Sequence, residues 1–290
     1  MPLPALPRAL GACAALFIAI GLGAASGCAV VDFEQRRWIF QPTTQTWAPG
    51  LAAARGMQEV WIDYRSAHPE QRGQAVKLHG LWLAQPDPQA PVLLFLHGSR
   101  WDVQASAPRM RNMHALGFAV LCVDYRGFGR SSEGMPSETL AAEDARAAWD
   151  WLAREYPHLP RYVFGHSLGS AIAVQLAQEV DDEAGLIVEG AFTSVPDVFR
   201  SYRLGWLPIT SFITQRFDAA ARIAHIGSPL LVVHGGDDSM VLPALGRALY
   251  DLAQSPKLFV LVPGAVHEDT NTLGLPQYRQ ALAQLFGLRP

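Results

Sequence analysis

The chain has 290 residues, half of them apolar, and a formal net charge of −3. That length and apolar content allow one large α/β domain or two small ones with a sizeable core, and they exclude a disordered chain. The charge balance leaves no basic footprint for nucleic acid, since the positive residues are nearly all Arg, with Lys77 and Lys257 the only lysines.

At the N-terminus, Arg8 precedes an apolar run from Leu10 to Ala25. The run is shorter than the roughly 20 residues a spanning helix needs and suits the apolar core of a signal peptide. It ends in Ala25-Ser26-Gly27-Cys28, which resembles the lipobox of bacterial lipoproteins, with Ala25 where that pattern usually has Leu. The resemblance implies export, lipidation of Cys28 and anchoring in a bacterial envelope. An uncleaved N-terminal membrane anchor and ordinary secretion are the alternatives. Residues 1–28 are therefore expected to be a signal peptide or anchor. Residues 29–57, with Pro42, Pro49 and Gly50, are expected to be a membrane-proximal linker, and residues 58–290 the folded domain. After cleavage Cys28 and Cys122 would remain. Cys122 falls in a buried-looking strand, so no disulfide framework is expected.

From Gln58 onward, short β-rich runs alternate with helical ones, the pattern of a mainly parallel sheet covered on both faces. Val60 to Arg65 and Val76 to Ala84 read as an opening antiparallel pair, and Pro91 to Leu96 as a strand buried on both faces. Phe118 to Val123, Arg161 to Phe164, Gly185 to Val188, Leu230 to His234 and Leu258 to Val262 complete eight. Ala141 to Arg154, Leu168 to Val180, Ala244 to Ala253 and Gln277 to Phe286 show helical periodicity.

The chemistry-bearing motifs fall at the carboxyl ends of these strands, where such sheets bind ligands. Gly165-His166-Ser167-Leu168-Gly169, between a strand and a helix, reads as a nucleophile elbow, in which a tight turn lifts a weakly nucleophilic serine out of the sheet. Gly235-Gly236-Asp237-Asp238-Ser239-Met240-Val241 follows the seventh strand, and Pro263-Gly264-Ala265-Val266-His267-Glu268 follows the eighth. Upstream, the strand from Pro91 ends in His97-Gly98-Ser99-Arg100-Trp101. There is no histidine or cysteine cluster at metal-ligand spacing, and no Gly-rich phosphate loop follows the first parallel strand, so neither metal nor cofactor is expected.

With Asp124-Tyr125-Arg126-Gly127-Phe128-Gly129-Arg130-Ser131 after the fourth strand, these motifs resemble the α/β-hydrolase fold over residues 58–287. More narrowly, the N-terminus, Trp38-Ile39-Phe40-Gln41-Pro42 and the short segment after Glu189 resemble the membrane-associated α/β-hydrolase-domain proteins with a minimal cap. Members of that group hydrolyse esters and thioesters, often of lipids. The resemblance implies an eight-stranded, mostly parallel sheet with helices on both faces and a small or absent cap. It also implies Ser167 as nucleophile, His267 as general base and then acid, and Asp238 as the residue that orients His267. The backbone N–H groups of Ser99 and Leu168 would form the oxyanion hole. Asp237 beside Asp238, and Glu189 at the end of the sixth strand, remain alternative acids. His97 and His166 are read as strand-end residues near the site, and Asp124 and Arg126 as a structural loop.

Residues 191–228 carry Phe192, Phe199, Tyr202, Trp206, Leu207, Ile209, Phe212, Ile213 and Phe217. They are able to wall the serine with apolar surface, or to pack one helix onto the sheet. The expected function is hydrolysis of a small-molecule carboxylic ester or thioester through an acyl-enzyme, by a monomer that meets the membrane surface through its N-terminus. Aminopeptidase or acyltransferase chemistry on the same triad is the alternative within enzymes. A non-catalytic, envelope-bound binding module is the alternative of another class.

Overall fold

The computed structural model describes residues 29–45, 47–202 and 208–288. The expected signal or anchor segment with Cys28 lies outside the described residues, as do Trp206, Leu207 and the side chain of Ile209.

Eight strands form one sheet: β1 (Gln58–Arg65), β2 (Ala75–Leu83), β3 (Val92–Leu96), β4 (Ala119–Val123), β5 (Arg161–His166), β6 (Gly185–Glu189), β7 (Leu230–Gly235) and β8 (Lys257–Val262). Their order is β1-β2-β4-β3-β5-β6-β7-β8. β2 pairs antiparallel with β1 and with β4, and all other pairings are parallel. The central strands β3, β4, β6 and β7 are buried along their whole length. That is why they read as continuous apolar runs, whereas edge strand β1 exposes Glu59 and Asp63 around buried Val60 and Ile62.

One face of the sheet is covered by α4 (Glu138–Glu155), α5 (Leu168–Glu179) and α8 (Pro243–Leu252), and the other by α3 (Val103–Ala115) and α10 (Leu275–Phe286). In α4 the buried Ala141, Ala145, Ala148, Trp149 and Leu152 recur at helical spacing. The helix starts where the Ser137 hydroxyl accepts the Leu140 N–H at 3.2 Å. Helix α3 departs from the sequence expectation, which placed none there. Pro108 sits inside it and its apolar periodicity is weak, but Asp102 caps it by accepting the Ala105 N–H at 3.1 Å, and Val103, Ala107, Met110 and Met113 bury one side. Short helices α6 (Val195–Ser201), α7 (Ala220–Ile223) and α9 (Thr270–Leu273) complete the domain.

Residues 29–57 differ from the linker expected of them. Residues 29–40 are helical, α1, and Ala48–Ala54 form α2. The Phe40 ring is fully buried, edge-on to Phe217 at 5.5 Å and to Phe128 at 6.3 Å between centroids. Pro49 and Gly50, which resemble loop signals, are here helix-compatible. Pro49 occupies the first turn, where its missing N–H costs nothing. Gly50 lets α2 lie against α3, where a Cβ would stand 2.6 Å from the Gln104 carbonyl oxygen. The folded unit thus begins upstream of Gln58. No helix among the described residues is long and apolar enough to cross a membrane.

Candidate active site

Ser167 sits between the end of β5 and the start of α5 at φ 54°, ψ −122°. A side-chain-bearing residue held at positive φ costs about 1–3 kcal/mol, so the surroundings must impose the conformation. They do so from both sides. The Ser167 N–H donates to the Glu189 carbonyl at 2.9 Å, and its own carbonyl accepts both the Ser170 N–H at 2.9 Å and the Ser170 hydroxyl at 2.6 Å. The flanking glycines are required by close approach. A Cβ on Gly165 would lie 2.4 Å from the Gly169 oxygen, and one on Gly169 would lie 2.0 Å from the Leu96 oxygen.

The turn after β7 fixes a carboxylate. Asp238 Oδ1 accepts the N–H groups of Met240 at 2.9 Å and Val241 at 2.8 Å, and Oδ2 lies 2.7 Å from His267 Nδ1. His234 Nε2 is 3.4 Å from the same Oδ2. Burial works to raise the Asp238 carboxyl, but hydrogen bonding to His234 and His267, the His267 charge and the Val241 N–H outweigh it and hold the group well below the usual carboxylate range. In the neutral imidazole, an acceptor-only carboxylate facing Nδ1 places the ring proton there and leaves the lone pair on Nε2. That Nε2 has no hydrogen-bond partner among the described residues.

Neither alternative acid makes this contact. Asp237 is exposed. Glu189 is fully buried and engaged elsewhere, accepting from Arg109 Nε at 2.9 Å and from the Tyr278 hydroxyl. His166 and His97 are buried beside the site. Burial, then the nearby Arg109 and His267 charges, push His166 well below its ordinary value, and burial lowers His97. His166 packs beside His267 with ring centroids 5.0 Å apart. The His97 ring packs at a tilt against Tyr125, centroids 4.5 Å apart, and the Tyr125 hydroxyl donates to the His97 carbonyl at 3.1 Å. Asp124 accepts the Val103 N–H at 2.8 Å, and Arg126 pairs with Glu143 and Asp144, so both serve the loop framework.

Ser167, Leu168, Ser99 and His267 line one cleft of about 400 Å³, a size that suits a small ligand. Leu168 is the first residue of α5, so its N–H has no intrahelical acceptor. On the loop after β3, the Arg100 N–H is taken by the Phe40 carbonyl at 2.9 Å, and the amide of its neighbour Ser99 is the candidate oxyanion donor that the resemblance implies. The walls combine apolar and aromatic side chains, including Trp38, Trp101, Phe192, Val195, Val198 and Phe199, with polar and charged ones such as Gln41, Arg100 and Glu268. The segment after Glu189 therefore divides: Phe192, Phe199 and Tyr202 face the cleft, Phe217 packs on Phe40, Ile213 lies against the core, and Phe212 is exposed. Arg109 also lines the cleft. It was not legible in the sequence, because it lies on the unforeseen α3 and its ion-pair partner Glu189 is 80 residues away.

Among solved structures, the chain is similar to an esterase of Pyrococcus furiosus, Pf2001, with a TM-score of 0.64 and 20% identity over 85% of this chain and 98% of that one. It is likewise similar to Est1E of Butyrivibrio proteoclasticus with bound ferulic acid, at a TM-score of 0.61 and 18% identity over 73% of this chain and 96% of that one. The chain has the α/β-hydrolase fold. Residues 87–217 match the family model described as serine aminopeptidase, S33. An uncharacterised protein of Mycobacterium tuberculosis is 37% identical over 185 residues, 63% of this chain and 65% of that protein. A lysophosphatidylserine lipase, ABHD12, of Danio rerio is 32% identical over 186 residues, 58% of this chain and 48% of that protein. The chain thus spans just under two thirds of the first relative and about half of the second.

Proposed function

We propose that this chain is a serine hydrolase of carboxylic esters or thioesters that works through an acyl-enzyme on Ser167. One observation carries the reading: a serine held at positive φ shares a cleft with a histidine whose Nδ1 is bound to a fixed carboxylate. In the proposed mechanism, Ser167 Oγ attacks the carbonyl carbon while His267 Nε2 takes its proton. The resulting oxyanion is met by the N–H groups of Ser99 and Leu168, and collapse breaks the bond to the leaving group, which receives the proton from His267. Water, deprotonated by His267, then attacks the acyl-enzyme. The second oxyanion collapses to release the acid and return the proton to Ser167.

The apolar walls favour acyl groups with hydrocarbon or aromatic bulk. The lipase named among the relatives and the ferulic acid bound in a structural neighbour support that class. Turnover of a panel of acyl esters of graded length, acyl thioesters and aminoacyl amides tests it. Esters and thioesters with apolar acyl groups are expected to exceed aminoacyl amides in kcat/KM by at least about a hundredfold, the discrimination a hydrophobic pocket supplies. Preference for the amides would instead make the chain an aminopeptidase. Preference for an added alcohol over water as acyl acceptor would make it a transferase.

We further propose that the chain is tethered to a membrane through its N-terminus, by lipidation of Cys28. The apolar run Leu10 to Ala25 and the small residues before Cys28 support this. Intact-mass analysis of the mature protein is expected to show an N-terminal lipidated cysteine. An unmodified residue other than Cys28 at the N-terminus would refute it.

A further inference from the structure

The loop that carries Ser99 does not hold its own shape. Arg100 and Trp101 follow one another at φ 64° and 60°, and neither is glycine, so something outside the loop must impose the conformation. The outside support is the end of α1. The last carbonyls of a helix lack intrahelical partners, and here two of them face the loop. Ile39 O accepts the Ser99 hydroxyl at 2.6 Å, and Phe40 O accepts the Arg100 N–H at 2.9 Å. Gln41, itself at φ 48°, adds a third grip, its Oε1 accepting from Arg100 Nε at 2.8 Å. The whole strap is anchored by the buried Phe40 ring between Phe128 and Phe217, and by the Thr43 carbonyl, which accepts the Gly129 N–H at 3.0 Å.

We propose that residues 39–41 are a positioning element of the oxyanion hole: they set the Ser99 amide against Ser167, with the Ser99 hydroxyl as the positioning group. This rests on the reading of the Ser99 N–H as an oxyanion donor. The hydroxyl is the part of Ser99 that ties the residue to the strap, while the proposed oxyanion donor is its backbone N–H. Removing an oxyanion donor outright costs about 100- to 1000-fold in kcat. A donor that is kept but loosened is expected to cost less, about tenfold, and only in the transition state.

The test compares the full chain with Ser99→Ala, Ser99→Thr and Gln41→Ala. The readouts are kcat and KM for one ester, the inhibition constant of a trifluoromethyl ketone, which becomes an oxyanion when bound to serine, and the thermal midpoint. Ser99→Ala is expected to lower kcat and to weaken the ketone by about tenfold each, with KM within about twofold and the midpoint little moved. Ser99→Thr keeps the hydroxyl and is expected to recover most of the loss. Gln41→Ala is expected to show a smaller effect of the same kind. Wild-type kcat and ketone affinity in Ser99→Ala would overturn the proposal. So would losses spread equally over kcat, KM and the midpoint, which mark a merely structural contact. Reaction of the wild type with a fluorophosphonate separates the two readings. No adduct at Ser167 removes the oxyanion-hole reading and the proposal together, whereas an adduct there with an unaffected Ser99→Ala removes the proposal alone.

Discussion

Ser167→Ala is expected to lower kcat for the best ester by about a thousandfold or more, while KM and the thermal midpoint stay near wild type. The expectation follows from the division of labour in the cleft. Oγ is the atom proposed to form the bond, whereas the apolar walls and the backbone donors are untouched by the change. Alanine at φ 54° carries the same Cβ penalty as serine, so the elbow keeps its strain and its neighbours keep their packing. The backbone bonds from Ser167 N–H to Glu189 and from Ser170 N–H to the Ser167 carbonyl survive as well. Steady-state kinetics with a melting curve check this, and retention of more than about a tenth of the wild-type kcat would exclude Ser167 as the nucleophile.

Asp238→Asn is expected to cost about three to four orders of magnitude in kcat, and Asp237→Asn no more than about twofold. Asparagine at 238 can still accept the Met240 and Val241 N–H groups through its carbonyl oxygen, so the turn is retained. Its amide nitrogen, however, then faces His267 Nδ1, where the carboxylate oxygen stood at 2.7 Å. A donor in that place turns the imidazole into the tautomer with its proton on Nε2, the wrong form for a base. Asp237 is exposed and has no side-chain contact with His267 to lose. Comparison of kcat for the two variants decides between them, and a crippled Asp237→Asn beside a near-normal Asp238→Asn would reverse the assignment.

Much of this arrangement is visible in the chain because each key group follows an apolar strand and sits beside glycine or in an acidic turn. The elbow shows itself through Gly165 and Gly169, whose spacing reflects real steric contacts with the Gly169 and Leu96 carbonyls. The choice of Asp238 over Asp237 and Glu189 is legible only through the family resemblance, since physically it depends on which carboxylate the β7 turn aims at His267. Glu189 is withdrawn by partners far along the chain, Arg109 and Tyr278. Helix α3 is obscured by Pro108 and by its mixed composition, and with it Arg109 is lost from view. The strap at residues 39–41 is hidden for another reason. Two of its three grips on the loop are backbone carbonyls, which every residue possesses, so no residue type marks them. Pro42, Pro49 and Gly50 suggest a linker, although tertiary packing of Phe40 and of α2 overrides that local signal.

Peptide mass mapping of the full chain after reaction with a fluorophosphonate probes the central claim most directly. A single adduct is predicted on the peptide that contains Ser167, abolished in Ser167→Ala and greatly slowed in His267→Ala. An adduct on another residue, or undiminished labelling of Ser167→Ala, would contradict it.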